Sequence, residues 1–178
     1  EANPVMFNYL NKNLTKLKEN IILYNIALSD SGGYAKLKIP IRKKSMIKSN
    51  FEDYYEGGSA TIESDNNLNN KKFDTFDVKK LTLDSFNFDQ TIGFIKIDVE
   101  GHEFSVLKGS KKILKKYKPV LLIEIDEQHS SKVKETFSYL KELNYESFYF
   151  DGIDLIKILS YEENIRKDFK NFIFKYKE

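Results

Sequence analysis

The sequence predicts a single α/β domain over residues 1–178: a mostly parallel sheet with helices on both faces and an antiparallel edge. Three observations carry this. The second half alternates apolar strands with amphipathic helices, through residues 92–98, 103–117, 119–125 and 132–143 in turn. The run Val120-Leu121-Leu122-Ile123 is apolar at every position, as a strand buried on both faces requires. Finally, 178 residues with 40% apolar and 14% aromatic side chains can fill one core but not two of ordinary size.

The elements follow in order. Asn3-Pro4 opens an amphipathic helix with Met6, Phe7, Leu10, Leu14 and Leu17 on one face. Pro4 suits its first turn, where a missing N–H would be unpaired anyway. Residues 21–28 form an apolar run rich in β-branched side chains, closed by the turn signal Ser29-Asp30-Ser31-Gly32-Gly33. Residues 34–39 and 73–80 alternate apolar with polar and read as half-exposed antiparallel strands. Between them, residues 41–72 hold Gly57-Gly58-Ser59 and the tract Asp65-Asn66-Asn67-Leu68-Asn69-Asn70. A stretch this long is a functional lid or a disordered insert, and Phe51, Tyr54 and Tyr55 beside acidic residues suit a lid that selects an acceptor. Thr82-Leu83-Asp84-Ser85 resembles a helix start capped by a hydroxyl. In the helix over 103–117, Phe104, Leu107, Leu114 and Tyr117 turn inward, and two further strands are expected over 146–150 and 155–159.

Composition excludes several function classes. The 29 basic and 27 acidic residues leave +2, so no bulk field draws the chain to nucleic acid or membrane. With no cysteine there are no disulfides, thiolate zinc sites or thiol nucleophiles. No apolar run approaches the roughly 20 residues of a bilayer crossing. No signal or transit peptide is visible, which leads us to expect a cytoplasmic protein.

In open α/β sheets ligands bind beyond the carboxyl ends of the strands. Four segments occupy such ends: Glu1-Ala2-Asn3-Pro4, Ala27-Leu28-Ser29-Asp30, Asp98-Val99-Glu100-Gly101-His102-Glu103, and Glu124-Ile125-Asp126. The third places four ionisable groups in six residues around a glycine that permits a sharp strand-to-helix turn. The ordinary account is that Asp98 caps the helix, Glu103 favours its positive end and His102 lies on the surface. Asp98, Glu100, Glu103, Glu124 and Asp126 could supply oxygens to magnesium or calcium, but neither an EF-hand spacing nor a paired-histidine helix is present, and no metal is expected. Lys108, Lys111, Lys112, Lys115, Lys116 and Lys118 crowd one helix end, where they complement its dipole in solvent.

The segment from Ile95 to Gly109, IKIDVEGHEFSVLKG, followed by Pro119-Val120-Leu121-Leu122-Ile123-Glu124-Ile125, resembles the signature of the FkbM-type methyltransferases. Glu1-Ala2-Asn3-Pro4 is similar to that family's Glu-Pro-Asn-Pro, Asn25-Ile26-Ala27-Leu28-Ser29-Asp30 to its Ala-Leu-Ser-Asp element, and Leu81-Thr82-Leu83-Asp84 to its Thr-Leu-Asp. Gly57-Gly58-Ser59 falls where the family often has a Gly/Ser-rich loop. The likeness runs to about residue 155.

This resemblance implies an S-adenosylmethionine-dependent O-methyltransferase on a Rossmann-like sheet, whose acceptor is a hydroxyl of a sugar or secondary metabolite. The partners implied are a small-molecule or glycan acceptor, with neither nucleic acid nor membrane. It assigns Glu1 to the ribose hydroxyls, since one carboxylate accepts two O–H donors side by side. Asn3, Ala27, Leu28 and Asp98 complete the implied cofactor contacts, with Ala27 and Leu28 beside the adenine and Asp98 nearest the transferred methyl. Asp98, His102 and Glu100 are the catalytic candidates, and His129 is a second histidine to weigh as base.

Two departures stand out. Ala2 replaces the family's proline, and none of the eight glycines forms the glycine-rich turn that follows the first strand of such folds. The first strand and its turn are therefore expected to be missing from this segment, with roughly 50 or more further residues upstream. Alone, the segment is expected to bind the cofactor weakly. The alternatives are a non-catalytic Rossmann-like binding module and a metal-assisted hydrolase on the acidic rim.

Overall fold

The computed structural model describes residues 1–14, 20–42, 54–64, 66, 71–159, 161 and 169–177. Helix α1 spans Pro4–Asn13, with Pro4 in its first turn and the Asn3 side chain accepting from the N–H groups of Val5 and Met6. Met6, Phe7, Leu10 and Leu14 are half-buried; Leu17 lies outside the described residues. Two sheets follow. The smaller has β1 (Ala27–Leu28), β2 (Gly33–Pro40) and β3 (Phe73–Leu81) in the order β1-β3-β2. As the alternation predicted, β2 and β3 are antiparallel along their whole length. Of the apolar run over 21–28, only Ala27 and Leu28 enter a ladder, parallel to β3.

The larger sheet holds β4 (Phe94–Ile97), β5 (Val120–Glu124), β6 (Tyr145–Phe150), β7 (Leu155–Ile158) and β8 (Asn171–Tyr176), in the order β4-β5-β8-β6-β7. Here the expectation of a mostly parallel sheet is corrected. Among the described strands β4 and β5 are parallel, while the three pairings beyond them are antiparallel. Two features produce this: β8 inserts between β5 and β6, and a tight hairpin joins β6 to β7.

Helices on both faces were also expected; among the described residues the helices that build the main core pack on one face. The register aligns Ile97, Ile123, Phe172 and Tyr149 in one row and Ile95, Leu121, Phe174 and Ser147 in the next. These rows supply the sheet side of the main core, against Val106, Leu107, Leu114, Val133, Phe137 and Leu140. Those residues come from α2 (Glu103–Lys108), α3 (Lys111–Tyr117) and α4 (Val133–Glu142). The opposite face, with Phe94, Leu122, Ile173 and Phe148, is half-buried or exposed.

The single helix expected over 103–117 is two helices broken at Gly109-Ser110. Leu107 and Leu114 are fully buried, whereas Phe104 and Tyr117 are half-buried. Nor does Thr82 cap a helix. Leu83–Ser85 is a short 3-10 turn, and Asp84 instead accepts the N–H groups of Lys112 and Ile113 at 2.9 and 3.0 Å, capping α3 from a distance in sequence. Asp84→Ala should therefore lower stability by about 1 kcal/mol in urea unfolding, with Asp84→Asn retaining most of it. An unchanged midpoint in the alanine variant would refute the cap.

Of the 41–72 stretch, residues 43–53, 65 and 67–70 lie outside the described residues, Phe51 among them. The described part packs on the smaller sheet, where Tyr54, Tyr55, Ala60 and Ile62 join Leu37, Ile39 and Val78. Thr61 pairs with Lys38 and Tyr55 with Ile41. The Tyr55 hydroxyl donates to Asp74 at 2.8 Å, and burial beside that carboxylate pushes its pKa up to about 12.

Candidate active site

A cleft of about 640 Å³ separates the two sheets, a volume within the range of small-molecule sites. One wall is β4 and the turn after it, from Phe94 to Glu100, with His102. The facing wall is Glu1, Ala2, Ala27 and Leu28 with Leu37, Gly57, Ala60 and Ile62. Among the described strands β4 pairs only with β5, so its other edge runs open along the cleft and Phe94 is 58% exposed.

The sequence-predicted residues converge here with two exceptions, Asn3 and His129. Glu1, Ala27, Leu28, Asp98, Glu100 and His102 all line the cleft, so the carboxylates that follow β4 and the Glu1 carboxylate ahead of α1 border one space. Glu1 Oε1 accepts the Asn3 N–H at 2.7 Å, which fixes the carboxylate of a cleft-lining residue. Asn3 is 1% exposed and does not line the cleft; its carbonyl oxygen is spent on α1. It shapes the wall behind Glu1 rather than touching a ligand. Asp98 is partly exposed and paired with Lys96 at 2.6 Å.

His102 is committed. Its Nδ1 lies 2.7 Å from Glu63 Oε2 and its Nε2 2.9 Å from Ser29 Oγ. The connectivity Ser29–His102–Glu63 is that of a hydrolytic triad, but Ser29 is 1% exposed and lies behind the cleft lining, so its oxygen meets no substrate. The three residues instead clasp the end of β1, the 61–64 segment and the start of α2 together. Thr61 Oγ1 and Asn66 Nδ2 both donate to the Glu100 carbonyl, at 2.8 and 2.9 Å. Lys38 Nζ donates to the carbonyls of Glu63 and Ser64. Sequence reasoning did not find this clasp, because its partners stand 34 to 73 residues apart with no motif linking them.

The turn they hold is tight. Glu100 has φ +50° and Gly101 φ +101°, and the Gly101 N–H donates to Glu103 Oε1 at 2.9 Å. Glu103 is 2% exposed, its Oε2 has no hydrogen-bond partner, and burial pushes its pKa up to about 7. Glu100 lines the cleft, and burial raises its pKa against the opposing pull of His129, with Asp98, Glu124 and Asp126 adding to the rise. Asp126 is held below the usual carboxylate range: burial alone would raise it, but Lys170 at 2.6 Å and the Gln128 N–H prevail. No three His, Cys, Asp or Glu side chains among the described residues are arranged to hold a metal.

Comparison with known proteins settles the family. The model of the methyltransferase FkbM domain matches residues 1–147. The chain belongs to the FkbM methyltransferase family. A solved structure of methyltransferase FkbM from Methylobacillus flagellatus KT shares the fold, at TM-score 0.55 and 15% identity. That match covers 98% of this chain and 35% of the other, so this FkbM domain spans about a third of its length. A comparison with curated proteins finds no match. No helix among the described residues of the domain is long and apolar enough to cross a membrane.

Proposed function

We propose that this FkbM domain transfers a methyl group from S-adenosylmethionine to a hydroxyl of a sugar or secondary metabolite. The observation that carries the reading is that Glu1 and Asp98, from opposite walls, line one cleft of about 640 Å³. The residues suit such a donor. The Glu1 carboxylate matches a pair of ribose hydroxyls, and Ala27, Leu28 and Ile26 give an apolar wall for an adenine. When bound, S-adenosylmethionine supplies a methyl group on a sulfonium whose positive charge is lost on transfer.

The chain's own residues then have three tasks. The cleft walls orient the acceptor hydroxyl, and orientation supplies most of the acceleration such a reaction needs. Asp98 and Glu100 place negative charge beside the cationic donor. Glu100, at the cleft and with a raised pKa, takes the hydroxyl proton; both His102 nitrogens are otherwise engaged. The described part of the 54–66 segment supplies Gly57, Gly58, Ala60 and Ile62 to the wall where an acceptor enters, which supports its role in choosing one.

Among the described residues the β4 edge along the cleft is unpaired, which supports a further strand pairing there, because an unpaired edge beside apolar Phe94 and Ile95 is otherwise a template for aggregation. The test is radiolabelled methyl transfer by the full-length product against a panel of sugars and polyketides. Asp98→Ala should lower turnover at least a hundredfold, leaving thermal unfolding nearly unchanged. Full turnover in that variant would remove Asp98 from the site. Absence of transfer by the parent to every acceptor, with S-adenosylmethionine bound, would favour a non-catalytic binding module.

A further inference from the structure

Resting on the methyltransferase reading, we propose that His129 is a positioning residue: it holds the Glu100 carboxylate at the cleft wall, where Glu100 receives the acceptor proton. His129 lies on the turn after β5, not on the cleft lining. The turn is fixed by its own backbone, since the N–H groups of His129 and Ser130 both donate to the Asp126 carbonyl, at 3.0 and 2.9 Å. Its carbonyl packs directly on Gly101, so the two turns that end β4 and β5 touch.

The ring meets its partners through one nitrogen. Nδ1 is buried with no hydrogen-bond partner, so Nε2 is the atom that faces charged groups. Nε2 faces two carboxylates, Glu100 Oε2 at 3.7 Å and Asp126 Oδ2 at 3.8 Å. Asp126 is already bound by Lys170 at 2.6 Å. Nε2 thus sits at ion-pair distance from both, but Asp126 has a lysine partner as well, whereas the Glu100 backbone is clamped from the other side by Thr61 and Asn66.

Other charges near Glu100 are Asp98 from β4, Glu103 from α2, Glu124 and Asp126 after β5, and Lys170 ahead of β8. Most are acidic and push a proton onto Glu100, which would leave it spent as a base. His129 opposes them. In the step itself the acceptor O–H bond breaks and its proton ends on a Glu100 carboxylate oxygen.

The experiment is a carbon-13 titration of glutamate carboxyls in the chain, with the Glu100 signal assigned through Glu100→Gln. In His129→Leu the Glu100 midpoint should rise, and in His129→Gln, which keeps an N–H near the Nε2 position, it should fall between. An unmoved midpoint in both variants overturns the proposal, and if the leucine variant does not fold the glutamine variant decides alone. With an acceptor in hand, His129→Leu should lose roughly threefold or more in turnover at the acid end of the pH profile and less toward the alkaline end, with KM unchanged. An equal loss at every pH would mark His129 as packing only. Should the parent transfer no methyl group at all, the methyltransferase reading fails while the titration still decides whether His129 governs Glu100.

Discussion

Gly101→Ala is expected to cost about 3 kcal/mol or more and to lower the thermal midpoint by roughly 6–12 °C. Two independent effects add. At φ +101° the backbone is outside the regions open to an L side chain, which alone costs on the order of 1–3 kcal/mol. An added Cβ would also collide with the His129 carbonyl oxygen and lie 3.0 Å from its carbon, and that obstacle is backbone, not a side chain able to swing away. Gly109 separates the two effects. Its φ is −74°, which any residue adopts, yet a Cβ there collides with the Ser29 carbonyl. Circular dichroism melts of both variants measure this. A Gly101→Ala midpoint within about 2 °C of the parent would mean that the β4 and β5 turns separate freely, and the cleft wall would then not be rigid.

These glycines show how far the sequence could be read. The motif from Asp98 to Glu103 announced a sharp turn at a strand exit, because a glycine among ionisable residues after an apolar run has few other uses. Period-two alternation gave β2 and β3, and the apolar run Val120–Ile123 gave β5, although only its alternate residues are fully buried. Strand direction beyond β5 was not legible. Side-chain patterns report which face of a strand is buried, not which way its neighbour runs, so β8 entering between β5 and β6 left no mark in either strand. The site divides the same way. Residues singled out from contiguous motifs, Glu1 and Asp98 among them, line one cleft. The clasp of Ser29, Thr61, Glu63 and Asn66 on the same turn was invisible, because isolated polar residues in loops carry no periodicity. His102 drew attention as a base for its chemistry alone; its two partners, in distant segments, give it a structural occupation.

Glu103 links the turn to pH. Its ordinary value is 4.5, and burial pushes it up to about 7 in the folded chain, with Gly101 N–H donation opposing and Glu100 nearby reinforcing. Between those two values the folded protein keeps a proton that the unfolded chain has released. Stability therefore falls as pH rises from 4.5 to about 7 and levels off above, the reverse of a salt-bridged carboxylate. That interval corresponds to about 3 kcal/mol at a site 2% exposed. Glu103→Gln cannot ionise and still accepts the Gly101 N–H, so it should abolish this slope. In urea unfolding the variant should gain relative to the parent on going from pH 5 to pH 8, by about 2.5 kcal/mol. Parallel pH profiles for the two proteins would show that Glu103 is ionised and compensated in the fold. The turn's hold on Glu100 would then rest on the clasp and His129 alone.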